Sequence, residues 1–569
     1  MNLIHGFHLK NLRGDILGGL TAAVVALPLA LAFGEAALGD GGAIYGLYGA
    51  VVVGFLAALF GGTPSQVTGP TGPMSVTVAT VVASLTAVEV GVNPNLGAGE
   101  ILPLVMASVV LGGLFQILFG ILKLGKYITL VPYSVVSGFM SGIGVIIIII
   151  QLGPLLGITT GGGVIESLKR LSNNFEPNGP AIAVTLMTLA IVFLSPRKIS
   201  QWIPSPLIAL LIVTPLSLFL FNDATLIAKG EIPIPRIGEL VQSSNGNLIR
   251  QIPEGGLRFS PPNFQAHLGV IIQGGLVLAV LGAIDSLLTS LVADNISGTR
   301  HDSDRELIGQ GIGNSVSGLF NGLPGAGATM RTVINVKSGG STPISGMVHS
   351  IVLLIVLMGA GSLAAVIPKA LLAGILIKVG LDIIDWGFLL RAHKLSLKTA
   401  AVMYGVLLMT VFWGLIQAVL VGVFIANMLT IDSITQTQLE GMDADNPMNQ
   451  KQSALPADEQ ELLNQCSGKV MLFRLKGPLS FGAAKGISER MLLIRNYKVL
   501  ILDITEVPRL GVTATLAIED MIEEAKRNSR KAYVVGANET VRSRLLKFGV
   551  DQIIETRKEA LNIALKDLK

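Results

Sequence analysis

The stretch Thr68-Gly69-Pro70-Thr71-Gly72-Pro73-Met74 governs how the rest of the chain is read. Proline has no amide hydrogen and glycine is conformationally free, so these residues cannot form a regular helix. Yet they open an apolar segment, 68–87, that follows another, 43–60. A second stretch has the same character: Pro324-Gly325-Ala326-Gly327-Ala328-Thr329. The two occupy matching places, since Leu59-Phe60-Gly61-Gly62-Thr63-Pro64 leads to the first and Leu319-Phe320-Asn321-Gly322-Leu323-Pro324 to the second. In hydrocarbon, unpaired backbone is tolerated only where protein buries it or where it lines a cavity.

Composition sets the solvent. The chain has 569 residues, is 51% hydrophobic and 14% charged, and has a mean hydropathy of +0.66. Soluble domains carry about 25% charged residues. The charge is uneven: residues 431–569 hold 39 of the 78 Asp, Glu, Lys and Arg side chains. This implies a membrane body over 1–430, a polar linker over 431–468 and a small soluble domain over 469–569. The net charge of +4 gives no reason to expect nucleic acid. The single cysteine, Cys466, excludes a disulfide scaffold and reads as an incidental reduced thiol. No nucleophile–base arrangement and no Gly-rich phosphate loop occurs, so neither an enzyme nor an ATP-driven pump is expected. His349, alone in an apolar span, reads as a packing residue, and no histidine pair has metal-ligand spacing.

Apolar runs predict fourteen spans, near 15–36, 43–60, 68–87, 101–122, 131–152, 181–195, 204–221, 268–291, 305–321, 329–337, 344–360, 364–384, 398–413 and 415–430. Loops bearing Lys123/Lys126, Arg197/Lys198, Arg300/Arg305 and Arg391/Lys394/Lys398 then share one side with both termini. The positive-inside rule makes that side cytoplasmic. Segment 222–267 falls outside, and Lys169 and Arg170 are mild exceptions. The body also repeats: Val131-Pro132-Tyr133-Ser134 through Gly138 and Gly144 matches Ile367-Pro368-Lys369-Ala370 through Gly374 and Gly380. Seven spans is an odd number, so the halves must be inverted, a transporter signature.

Symmetry should bring the two breaks together near the midplane, where free amides and positive helix ends make an anion site. Thr71 and Thr329 add hydroxyls. The alternative is close helix packing through small residues. Asp285 lies deep in span 268–291, where a carboxylate is strongly disfavoured and usually functional. Thr289 shares its helical face. A carboxylate, a hydroxyl and bare carbonyls form a hard oxygen site suited to sodium; the carboxylate could instead carry a proton or serve structure alone. Arg331 could supply charge to the anion or face a bundle boundary. Glu35, at the end of the first span, reads as a solvated helix end.

In the soluble part, 470–475, 499–503 and 532–536 read as strands and 482–493, 513–527 and 541–548 as helices, an α/β domain.

Pro70-Thr71-Gly72-Pro73, Gly325 to Thr329, and a tail with Leu502-Asp503-Ile504 before Gly511-Val512-Thr513 resemble the SulP family of anion permeases with a C-terminal STAS domain. The resemblance spans essentially the whole chain. Leu12-Arg13-Gly14-Asp15, Pro70 to Met74 and Gly325 to Arg331 are most similar to the family's cyanobacterial bicarbonate transporters. The resemblance implies an all-α polytopic membrane domain with a 7+7 inverted repeat. Spans 1–4 and 8–11 would form its core and 5–7 and 12–14 its gate, beside a cytoplasmic α/β STAS domain. It implies elevator-type, sodium-coupled bicarbonate import across a cyanobacterial plasma membrane. It also implies a homodimer through the STAS domain, with a cytoplasmic regulator as a further expected partner. By position, Asp285, Thr289, Gly327 and Thr329 would hold sodium, and Thr71, Gly72, Ala328 and Thr329 the anion. Thr513 stands where related STAS domains carry a phosphorylated serine, but Val512 replaces the usual preceding Asp. A proton-coupled sulfate or dicarboxylate permease is the alternative within the family, and a membrane-anchored signalling protein is the alternative outside it.

Overall fold

The computed structural model describes residues 4–39, 41–92, 98–158, 164–173, 175–196, 204–221, 226, 232–237, 261–359, 366–440, 443–445, 455–477, 479 and 497–569. The expected helix 482–493, the Arg197/Lys198 loop and most of 222–267 lie outside the described residues. The chain divides into two units, Met1–Val423 and Phe424–Lys569.

Each expected apolar segment carries a helix. They are α1 (Leu12–Leu38), α2 (Ala43–Phe60), α3 (Gly72–Val92), α4 (Ala98–Ile121) and α5 (Tyr133–Leu155). After α6 (Val164–Asn173) come α7 (Gly179–Leu194), α8 (Ser205–Leu220), α9 (Pro261–Ser297) and α10 (Ser303–Leu319). The series ends with α11 (Thr329–Lys337), α12 (Pro343–Gly359), α13 (Lys369–Ile383), α14 (Leu397–Phe412) and α15 (Leu415–Glu440). Six of the described helices are long and apolar enough to cross a membrane by length and composition alone. Two differences from expectation have physical causes. Residues 164–173 form a short helix in which Arg170 pairs with Glu166 at 2.7 Å, so its charges belong to an amphipathic turn. The last helix runs on past 430 to Glu440, because 431–440 contains neither Gly nor Pro to stop it.

Packing sorts these helices into two sets. α1 lies against α2, α3, α11 and α12; α2 against α10; and α4 against α9 and α10. The other set joins α5 to α13 and α14, and α7 to α8 and α13. The sets meet where α1 touches α13 and α3 touches α5. Residues that the sequence matched come together twice. β1 (Thr68–Gly69) pairs antiparallel with β2 (Ala326–Gly327), Thr68 opposite Gly327 and Gly69 opposite Ala326. Helices α5 and α13 both start after an extended proline, Pro132 and Pro368. They cross at Gly144 and Gly380, where a Cβ on Gly144 would sit 2.5 Å from the Gly380 carbonyl oxygen. Only glycine permits so close an approach.

The second unit is a five-stranded sheet ordered β3 (Asp443–Asp445), β4 (Val470–Lys476), β5 (Val499–Glu506), β6 (Lys531–Val535) and β7 (Ile553–Ile554). β3 is antiparallel to β4 and the other pairs are parallel. Both faces are covered, which is why β4 and β5 read as continuous apolar runs. Phe473, Leu500 and Leu502 pack under α17 (Val512–Arg527) and α18 (Glu539–Lys547). Leu472, Ile501 and the buried thiol of Cys466 pack under α16 (Ala457–Gln465) and α19 (Arg557–Leu568). Arg557 ties the second layer to the sheet, donating to Asp503 at 2.9 Å and Glu459 at 2.8 Å. Arg557→Met should therefore lower the unfolding free energy of this unit by about 2 kcal/mol, readable by urea titration; the figure is discounted for the arginine's partial exposure.

Candidate ion-binding site

The site is built on the short β1–β2 pairing. Each strand residue precedes a helix, so α3 begins at Gly72 and α11 at Thr329, and both N-termini point out of one paired ribbon. First-turn amides have no intrahelical acceptor. At the second break two are already used: the Gly327 amide donates to Ser286 Oγ at 3.0 Å, and the Ala328 amide to the Val67 carbonyl at 2.9 Å. An anion at this end would meet the amides that follow, beginning with that of Thr329.

Helix α9 supplies Asp285 and Thr289. The Thr289 hydroxyl donates to the Gly327 carbonyl at 2.9 Å and lies 2.8 Å from Thr329 Oγ1. A hydroxyl has one hydrogen, so Thr329 is the donor in the second contact. The structure thus joins Thr289, Gly327 and Thr329 directly. Asp285 stands one turn earlier on the same helix, beside the Thr71 hydroxyl and the Arg331 guanidinium. Gly72 marks the far wall: a Cβ there would come within 2.8 Å of Ile383 and 2.9 Å of Ile147, side chains of α13 and α5. The site therefore lies where the two helix sets face each other.

Arg331, which sequence left between two roles, is buried here. It donates through Nη2 to the Pro70 carbonyl, from the second break to the first. Asp285 Oδ2, Thr71 Oγ1, Ser75 Oγ and Arg331 Nη1 are all buried without a hydrogen-bond partner. Buried polar atoms are normally satisfied. Four such atoms at the starts of α3 and α11 and on the facing part of α9, one carboxylate oxygen, two hydroxyls and one guanidinium nitrogen, fit a site for a small cation beside a small anion.

Sequence reading missed the frame that holds the breaks. Glu306, at the start of α10, is 2% exposed and accepts four hydrogen bonds. The donors are the Gly62 and Thr63 amides at 2.9 Å each, Gln66 Nε2 at 2.7 Å and Gln310 Nε2 at 2.8 Å. Asn314 brackets Gly325, accepting from its amide at 2.7 Å and donating to its carbonyl at 3.0 Å. Asp15 accepts from the Ser341 and Thr342 amides, at 2.8 and 2.9 Å. The one available signal was their placement in or beside apolar segments. Glu35 corrects the expectation of a solvated helix end: it pairs with Lys369 at 2.7 Å, and both side chains are mostly buried. Thr513 belongs to the other unit, exposed in the first turn of α17.

Comparison with known proteins follows the same lines. The sulfate permease family model matches residues 12–406 and the STAS domain model residues 462–561. The chain is 47% identical to the bicarbonate transporter BicA of Picosynechococcus sp., over 99% of this chain and 97% of that protein. It is 31% identical to the putative sulfate transporter YvdB of Bacillus subtilis, over 96% of this chain and 95% of the relative. Among solved structures, the transmembrane domain of a cyanobacterial BicA is 48% identical, covers 74% of this chain and 100% of its own, and superposes with a TM-score of 0.65. With a helical membrane domain, paired breaks and a C-terminal α/β domain in the order those models require, the chain belongs to the sulfate permease family and carries a STAS domain.

Proposed function

We propose that this protein imports bicarbonate together with sodium, moving α1–α4 and α9–α12 past the set formed by α5, α7, α8 and α13–α15 in an elevator-type cycle. The substrate assignment rests on the near-full-length similarity to bicarbonate transporters. The sodium assignment rests on one observation, the convergence of Thr289, Gly327 and Thr329 beside Asp285.

Charge counting gives the coupling. Asp285 and Arg331 cancel, so bicarbonate alone would bring an uncompensated negative charge into a buried place, and sodium alone a positive one. Burying an unpaired ion costs several kcal/mol. The pair enters at no net charge, with sodium on the oxygens of Asp285, Thr289, Gly327 and Thr329. Bicarbonate sits on the Thr71 and Thr329 hydroxyls and the amides near Gly72 and Ala328. Each ion then raises the affinity of the other, by the same factor in both directions. In this reading the protein sits in the plasma membrane with both termini cytoplasmic. It dimerises through the STAS domain, where Thr513 is the candidate regulatory position for a cytoplasmic partner.

The test is labelled bicarbonate uptake into proteoliposomes, with and without an inward sodium gradient, alongside labelled sulfate. Sodium-dependent bicarbonate uptake that sulfate does not compete is expected. The 31% identity to a putative sulfate transporter keeps a proton-coupled sulfate permease as the second reading. Sulfate preference driven by a proton gradient would establish it, with Asp285 as the proton carrier.

A further inference from the structure

We propose that Glu35 and Lys369 form a latch that closes one end of the ion path between the two helix sets and must break for that end to open. The proposal rests on the elevator reading above. Glu35 is in the last turn of α1, and Lys369 is the first residue of α13, so the 2.7 Å ion pair crosses the boundary along which the sets would slide.

Each charge is badly placed for its own helix. A carboxylate near a helix C-terminus and an ammonium at an N-terminus both oppose the macrodipole. Neither position suits an isolated charge, and both are largely removed from water, with side chains 14% and 16% exposed. The pairing is what reconciles them. Lys369 is also held firmly on its own side. Its amide donates to the Pro235 carbonyl at 2.9 Å, and Ile237 donates to Ile367 at 3.0 Å. The fixed half of the latch is therefore α13, and the half that departs is α1.

The pair itself lines a cavity of about 150 Å³, whose inner walls are Ala79 and Val82 of α3, Ile150 and Gln151 of α5, and Leu372 of α13. Ala79 is two turns along α3 from Gly72, the residue at the ion site. Ile150 is one turn along α5 from Ile147, which touches Gly72. In this reading the cavity is the stretch of the path that runs from the latch toward the ion site. By the Lys/Arg bias this is the outer end, where α5 finishes and α13 starts.

Ala79→Cys in a Cys466→Ser background places one thiol in the cavity, since Cys466 is the chain's only cysteine. Its reaction with a charged maleimide is followed in nanodiscs, where both faces are reachable. Glu35→Gln should raise the labelling rate about tenfold, the effect of about 1.4 kcal/mol on the closed state. Lys369→Met should do the same, which covers the case in which one variant does not fold. The exchange Glu35→Lys with Lys369→Glu should return labelling to within about twofold of the parent, because it restores the pair. Parental labelling in folded Glu35→Gln and Lys369→Met, or an exchange variant that labels as fast as the singles, would overturn the latch. If labelling behaves as expected while the parent takes up no bicarbonate, the latch stands and the substrate assignment falls.

Discussion

Asp285→Asn should fold and insert, yet show sodium-driven bicarbonate uptake at least about 100-fold below the parent, the loss that about 2.7 kcal/mol represents. Asparagine keeps the size of aspartate and removes only its charge. Two consequences follow at a site where Thr289, Gly327 and Thr329 already touch. The sodium site loses its only anionic ligand, leaving neutral hydroxyl and carbonyl oxygens. Arg331, 2% exposed, loses the charge that balanced it and becomes a positive centre that holds an anion without sodium. The variant should therefore still bind bicarbonate, but with an affinity that no longer responds to sodium. Calorimetric titration with and without sodium, beside proteoliposome uptake, reads both halves. Parental sodium-driven uptake in this variant would remove the carboxylate from the coupling.

Glu306→Ala should fail earlier, at the level of folded protein. The carboxylate receives the Gly62 and Thr63 amides and the Gln66 and Gln310 side chains. Alanine leaves four buried donors without an acceptor, each costing about 1–3 kcal/mol. The sum approaches the whole stability of many domains, so little monodisperse protein should survive extraction in detergent. Glu306→Gln should be milder, since its amide oxygen still accepts two of the bonds, and should show a lowered melting temperature with uptake retained. A Glu306→Ala protein with the parent's melting temperature would mean that the network only decorates the break.

The two predictions divide along what the sequence could announce. Asp285 was legible because a carboxylate inside an apolar helix is rare enough to demand an explanation. The breaks were legible because proline and glycine act locally, through missing amides and missing Cβ atoms. Glu306 was not, because it stands at the very start of its span beside Asp302, Asp304 and Arg305 and looks like one more helix-end charge. Its burial comes from Gly62, Thr63 and Gln66, some 240 residues earlier in the chain. Glu35 was misread for the same reason, since its partner Lys369 lies in the other half. The missed helix α19 is a different case. Thr556 caps it by accepting from the Glu559 amide, a Thr-x-x-Glu start that sequence inspection could have used.

The two-residue ribbon at the centre of the site also sets a timetable. Thr68 and Gly69 leave the ribosome roughly 258 residues before Ala326 and Gly327, the segment they pair with. At about 10 residues per second this is about half a minute. Through that interval the first break has left the ribosome with its ladder partners not yet made, in a solvent that offers its amides no water. The acceptor for the Gly62 and Thr63 amides, Glu306, is equally late. A nascent chain stopped short of Ala326 is therefore not half a transporter: its first break has no ladder to join.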